Sequence, residues 1–291
     1  MANKNYSRVL TAALKVIFLA FVVWLATRIF FVQIYRVPTG SMNNTLLEGD
    51  YVIVNKLAFG PRIPITFSIP GTDIYVDRFT LPYLRLPGFG NVERNDILVF
   101  NYPLENDLPI DRRKPYIKRC VALPGDTLRI ENGTVLVNGE ILQQPDSALF
   151  RYSSLSLNTT VYLTETAAKQ AQSIRFPQRS TDYRPACFPN HPALKWNADH
   201  MGPLIVPKKG MRIVLSPENL VLYKRVIEMY EGRKISQLGD LIFIDGQKST
   251  HYIFTGDYFF VMGDNRYNSV DSRFWGFLPQ SHLIGWAFFS F

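Results

Sequence analysis

Hydrophobic residues are concentrated in one long segment near the N-terminus and otherwise occur in short runs. The long segment covers residues 9–37, and its charged residues are Lys15, Arg28 and, next to its end, Arg36. Its uninterrupted core, residues 16–27, is too short to cross a bilayer. If Arg28 snorkels, residues 29–35 extend the run to the ~20 residues that a spanning helix needs. The pattern predicts an N-terminal transmembrane anchor, and no second apolar segment of this kind follows.

A cleaved signal peptide would share the basic start and the short apolar core of this segment. The residues after Thr27 argue against cleavage, because Arg28 and more apolar residues follow without a convincing small-x-small site. We therefore predict a retained anchor, with its N-terminal cations inside the cell and the long remainder exported. The flanking cations are Lys4, Arg8, Lys15, Arg28 and Arg36.

Beyond the anchor, short apolar runs and turn signals predict antiparallel β-structure. Residues 51–54 and 97–100 are typical of strands, and the proline-rich residues 60–90 between them suit an irregular or hairpin-like excursion. Asn-Gly and Asp-Gly pairs are strong hairpin signals, because both turn positions need positive φ. Such pairs stand at Asn132-Gly133, Asn138-Gly139 and Asp245-Gly246.

One helix is predicted beyond the anchor. Ser216 can cap it, Pro217 suits its first position and Gly232 can end it. Its apolar stripe at helical spacing consists of Leu220, Tyr223, Ile227 and Tyr230.

These elements predict a mainly β protein, in which a transmembrane helix is followed by two antiparallel β-rich domains. Residues 1–36 would form the cytoplasmic tip and the anchor. Residues 37–130 and 254–291 would form the core that carries the chemistry. Residues 131–253 would form a cap inserted into that core, because residues 143–209 are polar, punctuated by proline and without a chemical motif.

The composition narrows the class of protein. The 291 residues carry a net charge of +8 but show no compact basic stripe, zinc-finger spacing or recognition helix, so no nucleic acid partner is predicted. Anionic lipid is the simpler partner for the cations around the anchor. The four histidines lack metal-ligand spacing, and no metal or cofactor is predicted. Cys120 is predicted to be buried, and an exported domain would permit, without requiring, a disulfide with Cys187.

Ser41 and Lys118 are the candidate catalytic residues. A serine hydroxyl becomes a nucleophile when a base takes its proton, and a lysine serves as that base only when neutral. At the reference pKa of ~10.4 roughly one lysine in 250 is neutral at pH ~8, and a pKa of about 8 requires ~3 kcal/mol. Strand alternation groups Lys118 with Tyr116 and Cys120, away from Arg119, so burial could supply that energy. Taken alone, a Gly-Ser pair is usually a turn and a strand lysine is usually solvated.

Four sequence blocks, in order after the anchor, supply the missing context. Residues 38–42 (PTGSM), with Thr45-Leu46, Gly49-Asp50 and residues 54–56 (VNK), form the first block, and residues 94–100 (RNDILVF) form the second. Residues 116–119 (YIKR) with 123–126 (LPGD) form the third, and residues 263–273 (GDNRYNSVDSR) form the fourth. In these blocks, which together reach nearly from end to end, the chain resembles the type I signal peptidases.

The resemblance implies a membrane-bound serine endopeptidase that removes signal peptides from exported preproteins. It would be a single-pass protein of the bacterial inner membrane, with its catalytic domain on the periplasmic face. Ser41 would be the nucleophile and Lys118 the general base, with Ser269 orienting the lysine. Four charged residues match the same block and are expected to hold the Ser269 loop as an ion-pair network: Asp264, Arg266, Asp271 and Arg273.

An oxyanion hole needs donors aimed at the developing charge, and the Ser41 N–H and the Thr39 hydroxyl are the candidates. Thr39 keeps a hydroxyl where many relatives have Ser or Gly. Asn44 replaces a proline that is common in the family, which is expected to loosen the chain after Ser41. Asn95 replaces a usual glycine, without an obvious functional cost.

Cleavage sites of secretory signals carry small residues at the first and third positions before the cut. Such a peptide could add to a strand edge and place alternate side chains in two shallow pockets. Val54, Leu98 and Ile117 are candidate pocket walls, unless they only pack the core. The aromatic tail, residues 284–291, is either a final core strand or a lipid contact. Rival lipid contacts are Phe59, Phe67 and Phe89.

Two other functions and one other mechanism are compatible with parts of the sequence. A catalytically inactive relative could keep the fold and bind exported segments as a membrane-tethered β module. A self-cleaving repressor also pairs a serine with a strand lysine, but it needs a DNA-binding domain where this chain has an anchor. A Ser-His-Asp triad would require His251 beside Ser41. The preprotein repertoire and the oligomeric state are left open by the sequence.

Overall fold

The N-terminal helix runs directly into the first strand. The computed structural model describes residues 2–68, 75–154, 159–171, 174–175 and 186–291. Helix α1, Ala2–Ala26, continues as a π-helical turn, Thr27–Phe31, and strand β1, Val32–Arg36, follows without a loop. Within these described ranges one helical segment, Arg8–Phe31, is long and apolar enough to span a membrane.

The helical segment ends earlier than the apolar pattern predicts. Residues 29–35 were expected to complete the spanning helix, but only the part up to Phe31 is helical. Every residue of β1 instead pairs with β2, Tyr51–Asn55, from Val32↔Asn55 to Arg36↔Tyr51. An apolar run fits a helix or a strand, and here a neighbouring strand supplies the backbone partners. The strand-forming residues 32–36 therefore belong with the β-structure.

Strands and short helices make up the rest of the described chain. The further helices are α2 (Glu165–Gln170), α3 (Pro217–Arg225) and α4 (Ser272–Trp275). After β2 the strands are β3 (Thr66–Ser68), β4 (Tyr75–Thr80), β5 (Ile97–Asn101), β6 (Pro115–Ala122), β7 (Thr127–Glu131), β8 (Thr134–Val137), β9 (Glu140–Ile141), β10 (Phe150–Ser154), β11 (Thr159–Leu163), β12 (Ile174–Arg175), β13 (Met201–Ile205), β14 (Arg212–Val214), β15 (Ile235–Leu238), β16 (Leu241–Ile244), β17 (Gln247–Lys248), β18 (His251–Ile253), β19 (Tyr258–Met262), β20 (Leu278–Pro279) and β21 (Leu283–Ser290).

The predicted mainly β class is confirmed, with several antiparallel sheets. The largest is a half-barrel of seven strands in the order β1-β2-β21-β5-β6-β19-β20. A four-stranded sheet has the order β13-β7-β8-β9, and three-stranded sheets have the orders β11-β10-β12 and β15-β16-β17. The pairs β14-β18 and β3-β4 complete the set. The β3-β4 pair is the hairpin-like excursion predicted within residues 60–90.

The turn and cap signals of the sequence form as predicted. Asn132 and Gly133 have φ of 49° and 71° between β7 and β8, and Asn138-Gly139 and Asp245-Gly246 also have positive φ at both positions. These are the left-handed conformations that two-residue hairpins require. Helix α3 starts at Pro217, and the Ser216 side chain accepts a hydrogen bond from the Asn219 N–H. A π-helical turn, Val226–Tyr230, extends the helix toward Gly232.

Two apolar clusters lie under the region that holds Ser41 and Lys118. One contains Val37, Met42, Val54 and Ile117, and the other contains Leu98, Cys120 and Trp275 as well as further residues of β5, β19 and β21. A third and larger cluster joins β7, β8 and β13 to α3 and β19. Cys120 is fully buried and is a free thiol, so it acts as a small apolar core residue.

Candidate active site

Ser41 lies in a short 3₁₀ turn, Gly40–Met42, five residues beyond the end of β1. Met42 is buried in the apolar cluster below and fixes one side of the turn. Asn265 fixes the other side, because its backbone N–H donates to the Ser41 carbonyl at 3.1 Å and its side-chain amide donates to the Gly40 carbonyl at 3.0 Å. Asn265 therefore holds the turn through hydrogen bonds to the carbonyls of both Gly40 and Ser41.

Lys118 comes from the middle of β6 and reaches the serine. Its Nζ lies 2.6 Å from Ser41 Oγ and 2.8 Å from the Ile117 carbonyl oxygen. The Tyr116 ring lies on the same side of the strand, with its centroid 5.5 Å from the ammonium nitrogen. Two residues that are 77 positions apart in sequence are thus brought into direct hydrogen-bond contact.

Burial tunes the lysine for acid–base work. Only 3% of the Lys118 surface is exposed. Burial lowers the pKa of Lys118 from 10.5 to about 8, while the carboxylates of Asp271 and Asp264 act in the opposite direction. Near pH 8 a substantial fraction of the amine is therefore neutral and can accept a proton from the serine.

Ser269 lines the same cleft but makes no hydrogen bond to the lysine. The sequence predicts that its hydroxyl orients Lys118, whereas both hydrogen bonds of Lys118 go to Ser41 and Ile117. Ser269 Oγ lies beside the Asp271 carboxylate, outside hydrogen-bond geometry. It also packs on Gly263, where an added Cβ would come within 2.3 Å of this oxygen. The predicted contact is corrected to a position on the cleft wall.

The charged residues of the last block form a buried network, with partners that the sequence did not indicate. Arg273 pairs with Asp271 at 2.8 Å, and Asp264 pairs with Arg119 of β6 at 2.6 Å. Burial acts to raise the pKa of Asp271, but Arg273 and hydrogen bonds outweigh it, so the pKa lies below its usual range. The Asp271 carboxylate is thus held as an anion close enough to Lys118 to act on its pKa.

Arg266 is buried in this network without a carboxylate in ion-pair distance among the described residues. Its guanidinium donates to the Gln144 side chain and to Met262 Sδ. Its own carbonyl accepts from Arg273 Nη2 at 2.5 Å. Arg266 therefore helps to tie the loop after β19 to residues around Gln144.

Residues 144–149 bind both halves of the site. Thr45 Oγ1 lies 2.5 Å from Ser147 Oγ and donates to Asp264 Oδ2 at 2.5 Å. Leu149 N donates to the Asp264 carbonyl at 2.8 Å and Leu149 O accepts from Arg266 N at 3.1 Å. This segment joins the chain after Ser41 to the loop that carries Ser269.

Two departures from the family pattern have a backbone explanation. Asn44 has φ 73° and Asn95 has φ 75°, in the left-handed region that asparagine and glycine tolerate. Proline, fixed near φ −65°, cannot take this conformation at position 44. The Asn44 side chain also donates to the Ser147 carbonyl at 3.0 Å, so the residue ties the chain down where loosening was expected. Asn95 occupies a position that suits the usual glycine equally well.

Thr39 lies next to the serine hydroxyl. Its Oγ1 is 3.4 Å from Ser41 Oγ, and its side chain lines the cleft. The Ser41 N–H is not used by any hydrogen bond in the described part of the chain. Both predicted oxyanion donors are therefore close to the nucleophile.

A cleft of about 800 Å³ runs over Ser41 and Lys118. It is lined by residues of three segments, 36–42, 114–118 and 267–270, and by Phe274. Of the predicted pocket walls, Ile117 lies on the cleft. Val54 and Leu98 are fully buried in the two clusters below and do not reach its surface. In the structure these two residues pack the core, which was the alternative role considered for them.

One edge of β6 is open toward the cleft. β5 pairs with the whole of Pro115–Arg119, whereas β19 pairs only from Arg119 onward. The backbone groups of Lys114 and Cys120 form hydrogen bonds with residues on the β5 side of the strand. Backbone groups of successive residues point alternately to the two sides of a strand, so the N–H and carbonyl of Ile117 point away from β5. The edge at residues 115–118 can therefore accept an extended peptide.

No histidine lies on the cleft among the described residues. His251 is exposed on β18 and bonds Thr250, while His282 is buried beside Arg113. Within the same ranges no group of His, Cys, Asp and Glu side chains could hold a metal ion.

The aromatic tail is a sheet strand with an exposed face. β21 pairs with β2 and β5, and Ile284 and Ala287 are buried while Phe288 and Phe289 are exposed. Phe59 is a buried core residue and Phe89 is exposed. The side chain of Phe67 lies outside the described part of the structure.

Arg119 and Asn265 are site residues that the sequence reasoning missed. Both stand inside the quoted blocks, and Arg119 was assigned only to the face opposite Lys118. Their partners, Asp264 and the carbonyls of Gly40 and Ser41, are more than a hundred residues away along the chain. The signal available in the sequence was that both residues stand inside the blocks that resemble the family.

Comparisons with known proteins show which family this chain is similar to. Residues 10–291 match the profile of a family described as signal peptidase, peptidase S26. Signal peptidase I of Buchnera aphidicola subsp. Schizaphis graminum is 28% identical over 293 residues, which cover 98% of this chain and 74% of that protein. Signal peptidase I of Pseudomonas aeruginosa is 25% identical over 275 residues, which cover 91% of this chain and 66% of that protein. A crystal structure of a signal peptidase I from Enterococcus faecalis V583 aligns with a TM-score of 0.32 and 18% identity, over 68% of this chain and 97% of that chain.

Proposed function

The chain belongs to the signal peptidase family, peptidase S26, and we propose that Ser41 and Lys118 are the nucleophile and the general base of its reaction. The activity is that of signal peptidase I, a serine endopeptidase that removes signal peptides from preproteins. The observation that carries the assignment is the 2.6 Å separation between Ser41 Oγ and a buried Lys118 Nζ. Within the described ranges no histidine lines the cleft to act in its place.

The proposed reaction has two stages. Neutral Lys118 takes the Ser41 proton as Oγ forms a bond to the scissile carbonyl carbon. The tetrahedral intermediate collapses as the new amine of the mature protein leaves with the proton that Lys118 carried. Water then attacks the signal-peptide ester, Lys118 again accepts a proton, and Ser41 Oγ leaves and recovers its proton. The signal peptide departs as a carboxylate.

The Ser41 N–H and the Thr39 hydroxyl are proposed to stabilise the oxyanion. The Ser41 N–H is unoccupied in the described structure and belongs to the same residue as the attacking oxygen. Thr39 Oγ1 is 3.4 Å from Ser41 Oγ, near the position that a carbonyl oxygen would take. Asn265 supports this arrangement because it holds the carbonyls on both sides of the Ser41 amide.

Ser269 and the ion-pair network are proposed to shape the site without reacting. Ser269 would line the cleft wall, and its hydroxyl would reach Lys118 once substrate or water moves either side chain. Asp271 with Arg273, and Asp264 with Arg119, would keep that wall rigid, since both pairs are buried and hydrogen-bonded. Arg266 would add the connection to Gln144.

The signal peptide is proposed to bind as an extended strand along residues 115–118. The open edge of β6 would supply backbone hydrogen bonds, and Ile117 would contact one of the small residues before the cut. Val54 and Leu98 would support this surface from below. A peptide in this position would pass Ser41, which lines the same cleft.

The membrane arrangement and the division into domains are also proposed. The family is membrane-bound, and the N-terminal apolar helix is consistent with a membrane anchor. A single pass would leave residues 37–130 and 254–291 as the catalytic core on the periplasmic face of a bacterial inner membrane. Residues 131–253 would form the inserted cap, whose strand β8 packs in one apolar cluster with β7 and β19 of the core.

The test compares wild type with Ser41→Ala on a preprotein bearing alanines before its cleavage site. The detergent-solubilised full chain should cut at that site, and Ser41→Ala should not. Equal cleavage by both proteins would expose a different nucleophile. Binding of the preprotein without cleavage by either protein would favour an inactive module that binds exported segments.

A further inference from the structure

The junction between the anchor helix and the half-barrel contains no flexible linker. The π-helical turn Thr27–Phe31 is followed at once by β1, Val32–Arg36, all of which pairs with β2. From Arg36 the chain continues for four residues to the Ser41 turn, and Val37 N is bonded to the Asp50 carbonyl at 2.8 Å. The distance between the helix end and Ser41 is therefore set by bonded structure.

Lys56, the residue that follows β2, closes this junction from the other side. Its backbone N–H donates to the Phe31 carbonyl at 2.9 Å. Its Nζ donates to the Arg28 carbonyl at 2.7 Å and to the Ile29 carbonyl at 3.4 Å. The last carbonyls of a helix have no hydrogen-bond partner within the helix. A cation at that end also interacts favourably with the negative end of the helix dipole. One lysine thus caps the end of the anchor.

The surroundings of Lys56 differ from those of a surface lysine that only keeps a protein soluble. The side chain is partly buried and forms no ion pair in the described ranges. Burial, followed by Arg62 and Arg28, lowers the pKa of Lys56 to about 8. A partly buried cation near two arginines is unfavourable unless other groups compensate. Here the compensating groups are the helix-end carbonyls.

We propose that Lys56 is a positioning residue that fixes the anchor helix on the catalytic half-barrel and thereby sets the height of Ser41 above the bilayer. This inference rests on the proposed function of Ser41. Signal peptides carry apolar cores of roughly 7–15 residues, so their cleavage sites emerge at different heights. A nucleophile at a fixed height would select among them by the length of that core. Lys56 is then a specificity determinant that never touches substrate.

The test uses the full chain in liposomes, with Lys56→Met and the conservative Lys56→Arg. The substrates are preproteins that differ only in the length of the apolar core, together with a short water-soluble peptide that carries the same cleavage site. Lys56→Met should cut the soluble peptide like wild type. Its preference for the best core length over a longer one should fall by about fivefold, and Lys56→Arg should restore the preference.

An insertion of Gly-Ser between Phe31 and Val32 is a second variant that leaves Lys56 in place. It should flatten the length preference in the same way, and it decides the question if Lys56→Met does not fold. A wild-type length profile in both variants would overturn the proposal. Equal loss on the soluble peptide and on all preproteins would also overturn it, because it would indicate a purely structural role. If wild type cuts no substrate at all, the proposed function fails instead.

Discussion

Replacing Lys118 with methionine separates the cost of burying a lysine from the use of that lysine in catalysis. The pKa of Lys118 is about 8 in the folded protein, against 10.5 for a solvated lysine. Below pH 8 the unfolded chain and the folded protein both bind the proton, but the folded protein binds it less tightly. The difference corresponds to roughly 3 kcal/mol of lost stability at pH 7. It fades as the pH rises from 8 to 10.5, because the unfolded chain then loses the same proton.

Methionine keeps an apolar stem of similar length without the charge. Lys118→Met gives up hydrogen bonds to Ser41 and Ile117, each worth about 1 kcal/mol, at the edge of an open cleft. We therefore expect the variant to be inactive and about 1–2 kcal/mol more stable than wild type at pH 7, with the gain gone above pH ~10.5.

Chemical unfolding of the detergent-solubilised full chain, followed by tryptophan fluorescence, measures the free energy of unfolding of wild type and variant at pH 7 and at pH 10.5. Lys224→Met on helix α3 is the matched control, because Lys224 is exposed and its replacement removes no buried charge. A Lys118→Met protein that is less stable than wild type at pH 7, or equally shifted at both pH values, would refute the reasoning about burial.

Three further substitutions test the geometry around the serine. Gly263→Ala would place a Cβ 2.3 Å from Ser269 Oγ and 2.6 Å from the Ser41 carbonyl, so kcat/KM on a preprotein should fall about 100-fold; near-normal turnover would contradict the close packing. Asn44→Pro should lower the unfolding free energy by more than about 1 kcal/mol, since φ is 73°, while Asn44→Gly stays closer to wild type in the same melt; equal stability of the two would remove the backbone argument. His251→Ala should keep most cleavage activity, because the exposed ring bonds Thr250 and does not line the cleft; a loss comparable to that of a catalytic residue would point to a triad.

Local chemistry made several elements predictable. The turns at Asn132-Gly133 and Asn138-Gly139 need positive φ, which these residue types adopt without help from distant parts of the chain. Helix α3 was predictable because Ser216 and Pro217 mark its start within two residues. Such signals need no knowledge of tertiary structure.

Pairing between distant segments was not predictable in the same way. Residues 32–35, which are apolar except for Gln33, also fit the end of a helix, and it is the pairing with β2 that makes them a strand. Arg119 pairs with Asp264, which is 145 positions away, and the sequence around either residue does not indicate this partner. The residue types of the site followed from the four blocks, whereas the Ser269 contact and the walls at Val54 and Leu98 depended on side-chain directions that only packing determines.

The pH dependence of kcat/KM for the full-length wild type on a preprotein tests the Ser41–Lys118 assignment most directly. Because the neutral lysine is the active form and its pKa is about 8, kcat/KM should rise about tenfold per pH unit below pH 8 and level off above it. Lys118→Met should show no measurable cleavage at any pH. A profile that is already level from pH 6, together with cleavage by Lys118→Met, would contradict the lysine as the base.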